Sequence, residues 1–236
     1  MKNRYIQTRN NLTVVIDGVS KIISAEHPNF KTVLRLGTRG RWKDAAGYLD
    51  LKEVVKRAGK EAKTVVGQDT HAQEKFGEKA LRELEAGRDP EHLKAFLKRC
   101  LVNPDQKSIQ ELADFLQHIQ APFTADGYFF AYKAVRDDFK DQHSGTFDNS
   151  PGRTVSIPRN KVDSNRRNEC SYGLHVGALE YVQGNYMKSR RSTGGGQSGS
   201  RYMLVLVDPA DVVSVPTDYS GQKMRVCRYV AVRELK

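Results

Sequence analysis

The sequence predicts an α+β protein. Its first part is a β-hairpin followed by helices, and its second is a mixed β-sheet with a few short helices. Three observations predict this. β-branched runs on either side of Asp17-Gly18 have the form of a tight hairpin, because Asp-Gly suits the positive φ values of the turn. Between 76 and 119 the apolar residues recur at three- and four-residue spacing, the period of an α-helix. After Asp126-Gly127 the texture changes to short β-branched and aromatic runs between turn formers.

The hairpin covers Leu12 to Ser24. Asn29 is expected to cap a helix carrying Phe30, Val33, Leu34 and Leu36, which Gly37 to Gly40 breaks. Trp42, Ala45, Ala46 and Leu49 mark a second helix, and Leu51, Val54, Val55 and Ala58 a third, ended by Gly59. Residues 60–70 are ambiguous, with Thr64-Val65-Val66 read as a short strand. Phe76, Ala80, Leu81 and Leu84 share one helical face. Asp89 and Pro90 open the helix of Leu93, Phe96, Leu97 and Cys100. After Asn103-Pro104 a further helix carries Ile109, Leu112, Phe115, Leu116 and Ile119.

Ala121-Pro122 ends the helical part, so the expected units are 1–122 and 123–236. In the second unit, strands are expected at 128–135, 154–157, 172–176, 202–207, 212–215 and 224–232, with a helix at 178–187. Residues 188–200 are rich in Gly and Ser and read as a flexible loop.

With 236 residues the chain is long enough to bury a real core. No apolar run approaches the roughly 18 residues of a membrane span, and MKNRYIQTRNN lacks the apolar segment of a signal peptide. Three cysteines are too few and too scattered for a disulfide framework, so a reducing cytoplasm is the simplest compartment. The net charge is +11, from 39 basic and 28 acidic residues. Residues 1–120 hold 22 basic and 16 acidic residues, so the excess is shared between the halves. It concentrates in three clusters: Lys31 to Lys43, Arg153 to Arg167, and Lys188 to Arg201. Such clusters suit phosphate groups or an anionic surface, but no zinc-finger, basic-zipper or RNP signature points to base reading.

Two stretches carry candidate chemistry. The loop His143 to Gly152 gathers His143, Asp148 and Asn149 with hydroxyls and turn formers. Cys170-Ser-Tyr-Gly-Leu-His175 holds a thiol and an imidazole. His175 alternates with Leu174 and Val176, which aims it away from the apolar side. The ligand or partner surface is therefore read as His143, Asp148, Asn149, Arg153, Arg166, Arg167, His175, Lys188, Arg190 and Arg191. No metal is expected, since no CxxC pair accompanies these residues, and no cofactor is expected. Walker, GxGxxG, HExxH and GxSxG motifs are absent.

DGYFFAYKAVRDDFKDQHSGTFDNSPGRTVSIPR, NECSYGLHVG, VLVDPADVVSVPTDY and KMRVCRYVAV, in that order, resemble the rIIB-like proteins of tailed bacteriophages. Upstream, VVIDG, HPNF and NPDQKSIQELADFL fit the same family. The resemblance implies a phage protein that acts with an rIIA-like partner, affects lysis timing and helps escape exclusion by a resident prophage or host defence protein. It places the protein in the host cytoplasm, with membrane contact at most peripheral. Longer members carry a helix-turn-helix-like segment ahead of the hairpin, so specific DNA binding is not implied for this chain. Non-specific nucleic-acid binding is the alternative that the charge leaves open.

A second similarity is to ADP-ribosyltransferase-like folds. Gly173-Leu-His-Val followed by Ala178, Tyr181 and Tyr186 is similar to their strand and helix around a nicotinamide pocket. It implies catalytic candidates Tyr132, His175 and Glu234, with NAD as cofactor under this alternative only. In this chain His175 stands where those folds carry an aromatic residue.

Overall fold

The computed structural model describes residues 4–16, 18–27, 29–49, 60–86, 88, 90–186 and 200–235. The expected helix at 51–58, the Asp89 cap and nearly all of the Gly/Ser loop lie outside them. The α+β class is as read. β1 (Arg4–Gln7), β2 (Asn11–Ile16) and β3 (Val19–Ser24) form an antiparallel sheet in that order. β1 has no counterpart in the sequence reading, because all four of its residues are exposed and show no alternation.

Leu12, Val14 and Ile16 alternate on the buried face of β2. They pack with Val33 and Leu36 of α1 (Phe30–Thr38) and Ala45 and Tyr48 of α2 (Trp42–Tyr48) into one small core. Asn29 does not cap α1 with its side chain. It is fully buried, and its Nδ2 donates to the Tyr48 carbonyl at 2.9 Å, tying the start of α1 to the end of α2. The bond satisfies Nδ2, whereas Oδ1 is buried with no hydrogen-bond partner among the described residues.

Residues 60–66 are helical, which corrects the short strand expected at 64–66. Their buried positions are Ala62, Val65 and Val66, a helical spacing that three β-branched residues concealed. α3 (Thr70–Glu85), α4 (Pro90–Cys100) and α5 (Gln106–Leu116) follow. The Asp105 carboxylate caps α5 by accepting from Lys107 N at 3.1 Å. Lys79 is buried on α3, where Nζ pairs with Glu83 at 2.8 Å and donates to the carbonyls of Ile119 and Ala121.

The second sheet has seven strands: β4 (Phe129–Val135), β5 (Thr154–Ser156), β6 (Leu174–Gly177), β7 (Arg201–Val207), β8 (Val212–Ser214), β9 (Lys223–Val226) and β10 (Arg228–Glu234). Their order is β5-β10-β7-β4-β6-β9-β8. The sheet was expected to be mixed, but each described pairing is antiparallel. Parallel neighbours need long crossovers, commonly helical, and this part of the chain has one described α-helix, the eight-residue α6 (Leu179–Tyr186).

The single strand expected at 224–232 is two. Only Cys227 separates β9 from β10, yet in the sheet order β7, β4 and β6 lie between them. One residue spans only about 7 Å. The sheet is therefore curled until its two sides meet at this bend. Hydrogen bonds pin the bend on both sides: Cys227 N donates to Asp211 O, and Ile157 N donates to Cys227 O, each at 2.9 Å.

One continuous core joins α3, α4 and α5 to this sheet, from Ala62 to Ala231. Phe96 stacks on Phe123 at 4.1 Å and meets Phe129 edge-on at 6.1 Å, so helix and strand share an aromatic cluster. Burying each such ring stabilises by roughly 2–3 kcal/mol. Among the described residues the small core ends at Leu49 and the large one begins at Ala62, and the large core draws on residues from both sides of position 122.

Candidate functional site

β4 pairs with β7 at seven positions but with β6 at one, Tyr132 opposite Gly177. Beyond that pair the two strands part. The gap is a cleft of about 480 Å³, walled by β4, β6, residues 141–147, residues 169–173, Tyr181 of α6 and Tyr229 of β10. That volume falls in the range of small-molecule sites. Gly177 shapes one wall. A Cβ there would stand 2.6 Å from Cδ1 of Tyr181, so glycine lets that ring lie over β6, where it meets Tyr219 at 4.9 Å.

Lys133 spans the gap. Its Nζ donates to the His175 carbonyl at 2.8 Å and lies 5.7 Å from the Tyr229 ring centre. Burial lowers its pKa to about 8, against an opposing pull from Asp141. His175 lines the cleft, as its alternation with buried Leu174 and Val176 predicts. Its Nε2 is buried and has no hydrogen-bond partner among the described residues. Burial, followed by the charges of Lys133, Lys223 and Arg225, holds its pKa down at about 3. The imidazole is therefore neutral at pH 7.

The loop from 137 to 153 spends most of its polar groups on itself. Asp141 accepts from Ser144 N at 2.6 Å, and from Thr146 N and Phe147 N at 2.9 Å each. Burial alone would raise its pKa, but these bonds and the Ser144 hydroxyl hold it at about 2. Asn149 is fully buried. It accepts from the Tyr229 hydroxyl and donates to the carbonyls of Phe139 and Phe147. Asp148 accepts from Ser150 and pairs with Arg153 at 3.3 Å. His143 sits exposed on the cleft wall.

Tyr132, His143 and His175 are thus brought together, whereas Glu234 is not. Glu234 pairs with Arg201 at 2.9 Å and lies outside the cleft lining. Arg166 pairs with Asp114 at 3.1 Å, and Arg159 donates to the carbonyls of Ala210 and Val212. Arg167 is exposed, and Lys188, Arg190 and Arg191 lie outside the described residues. Among the described residues no group of His, Cys, Asp and Glu side chains is placed to hold a metal ion.

Sequence reasoning missed Lys133, Lys223 and Arg225. Lys223 Nζ pairs with Asp218 at 2.7 Å and donates to the Glu169 carbonyl. Arg225 is fully buried and donates to the carbonyls of Asp163, Asn165 and Asn168, which folds the 163–169 loop against the cleft. The available signal was a cation alternating with apolar residues inside a strand: Ala131-Tyr132-Lys133-Ala134 and Lys223-Met224-Arg225-Val226.

These features define an α+β protein with a small three-stranded lobe, a curled antiparallel sheet and a cleft where that sheet splits. Residues 6–234 match the family model described as Bacteriophage T4 protein rIIB. The chain is also 34% identical over 230 residues to Protein rIIB of Enterobacteria phage T4, which covers 95% of this chain and 70% of that protein. The chain belongs to the rIIB family of bacteriophage proteins. No solved structure matches it.

Proposed function

We propose that this chain is a phage accessory protein that works by binding, acting with an rIIA-like partner in lysis timing and in escape from host or prophage exclusion. The family match across nearly the whole chain carries this reading. Two cations of the basic clusters, Arg166 and Arg201, pair with acids of this chain, which leaves fewer charges for a phosphate backbone, while the cations of the cluster from Lys31 to Lys43 stay exposed. The setting we propose is the host cytoplasm, with any membrane contact peripheral. No helix among the described residues is long and apolar enough to cross a membrane.

The test is capture of the tagged chain from infected cells at physiological salt. An rIIA-like protein should co-purify in near-equal amount, along with any host defence factor engaged by the pair. Its absence would overturn the reading. Recovery of nucleic acid that is lost steeply with added salt would favour the charge-driven alternative.

A further inference from the structure

Among the described residues Lys79, Lys133 and Lys223 have deeply placed ammonium groups, and they are not treated alike. Lys79 pairs with Glu83 at 2.8 Å, and Lys223 pairs with Asp218 at 2.7 Å. Lys133 has no ion-pair partner among the described residues, and one hydrogen bond, to the His175 carbonyl, engages one of its three donors. Buried charge without a counter-charge is costly, so natural proteins pair it or hold it for a ligand. The nearby acid, Asp141, attracts Lys133 through space but forms no ion pair with it, its oxygens being taken by Ser144, Thr146 and Phe147. Glu169 also lines the cleft but is exposed. A second group is left over beside it. His175 Nε2 is buried without a partner, and such atoms in native proteins usually mark a missing water, ion or ligand. Around both groups stand the rings of Tyr132, Phe147, Tyr181 and Tyr229.

We propose that the cleft between β4 and β6 binds a small aromatic anion. The anionic group is met by the Lys133 ammonium, and His175 Nε2 forms a hydrogen bond to a polar atom of the ligand. The tyrosine and phenylalanine rings sandwich its flat body, and the cleft volume of about 480 Å³ suits a ligand of one or two rings. The anion is a carboxylate or a phosphate ester, two sources of one chemistry.

Pyridoxal 5′-phosphate tests this directly, since it carries a ring, an anion and an aldehyde. The Lys133 ammonium first loses a proton to solvent, its neutral amine then adds to the aldehyde carbon, and the carbonyl oxygen leaves as water with the two remaining hydrogens of the amine. Borohydride then delivers hydride to the imine carbon, and the nitrogen takes a proton from solvent, leaving a stable secondary amine. Peptide mass mapping of the full chain should place the label on Lys133 about tenfold faster than on exposed lysines. Excess benzoate should protect Lys133 if the natural anion is a carboxylate, and excess inorganic phosphate if it is a phosphate ester. His175→Phe, with an unchanged circular dichroism spectrum, should slow labelling by about tenfold through the lost hydrogen bond. Label spread evenly over exposed lysines, or Lys133 labelling that neither anion reduces, would overturn the proposal.

Discussion

Gly127 has a φ of 81°, and a Cβ at that position would overlap the backbone of Ala95 in α4. Gly127→Ala should therefore combine left-handed strain with overpacking and cost about 3 kcal/mol in urea denaturation. An unchanged midpoint would mean that the turn can retreat from the helix. His175 sets the pH response. Its folded pKa, about 3, lies below its ordinary 6.5, so the unfolded chain binds a proton that the folded chain refuses. Stability is full above pH 6.5 and declines as pH falls toward 3, by at most about 1.4 kcal/mol per pH unit. His175→Gln should flatten that slope; a parallel decline in both proteins would count against a buried neutral imidazole. Asp141 acts in a lower window, from its ordinary 3.8 down to about 2. Asp141→Asn should cost about 1–2 kcal/mol at pH 7, discounted for solvent at the loop, with the difference closing below pH 3. The sequence revealed His175 through local alternation. It did not reveal Lys133, whose partner is a carbonyl 42 positions away. Nor did it show that Asn149 faces inward, because that depends on Tyr229 arriving from 80 positions downstream.

At the scale of elements, the weak seam is the single pairing of β4 with β6. Amides of β4 that point toward β6 should exchange with deuterium faster than those that point toward β7, where seven pairs are in register. Equal protection on both sides would contradict an open cleft. The hairpin and α3 to α5 were legible because their signals are local: a turn dipeptide and apolar spacings of three and four. The bend at Cys227 was not. Met224-Arg-Val-Cys-Arg-Tyr-Val230 has neither Gly nor Pro to mark a break, and its one trace is a slip in the apolar alternation at Val226-Cys227, after which the pairing partners change. Strand order was equally hidden, since it is settled by pairing between distant segments.

Among the described residues the two larger cores of the molecule are joined where Tyr48 and Lys94 both contact Glu91, and a small third cluster holds Val162, Val213 and Cys227. Among the described residues the larger core contains none before Ala62. A chain beginning at residue 60 should therefore fold, keeping the near-ultraviolet dichroism of its packed aromatic cluster and a cooperative melt. Loss of both would show that the small lobe is integral to the larger fold. The last helix before the sheet ends at Leu116, and Ala121 and Phe123 both pack into the larger core beyond it, so the end of helical texture in the sequence carries no sign of where a core ends.

The bend at Cys227 also bears on how the protein is made. Both sides of the curled sheet are completed by one continuous stretch, Lys223–Glu234. While the ribosome still holds that stretch, β7 lacks β10 and β6 lacks β9. A message cut short at codon 222 would not release a protein missing one strand. It would release one with two open edges, each able to recruit a neighbouring chain. Such a product should appear in inclusion bodies, even though every helix that it needs has already been synthesised.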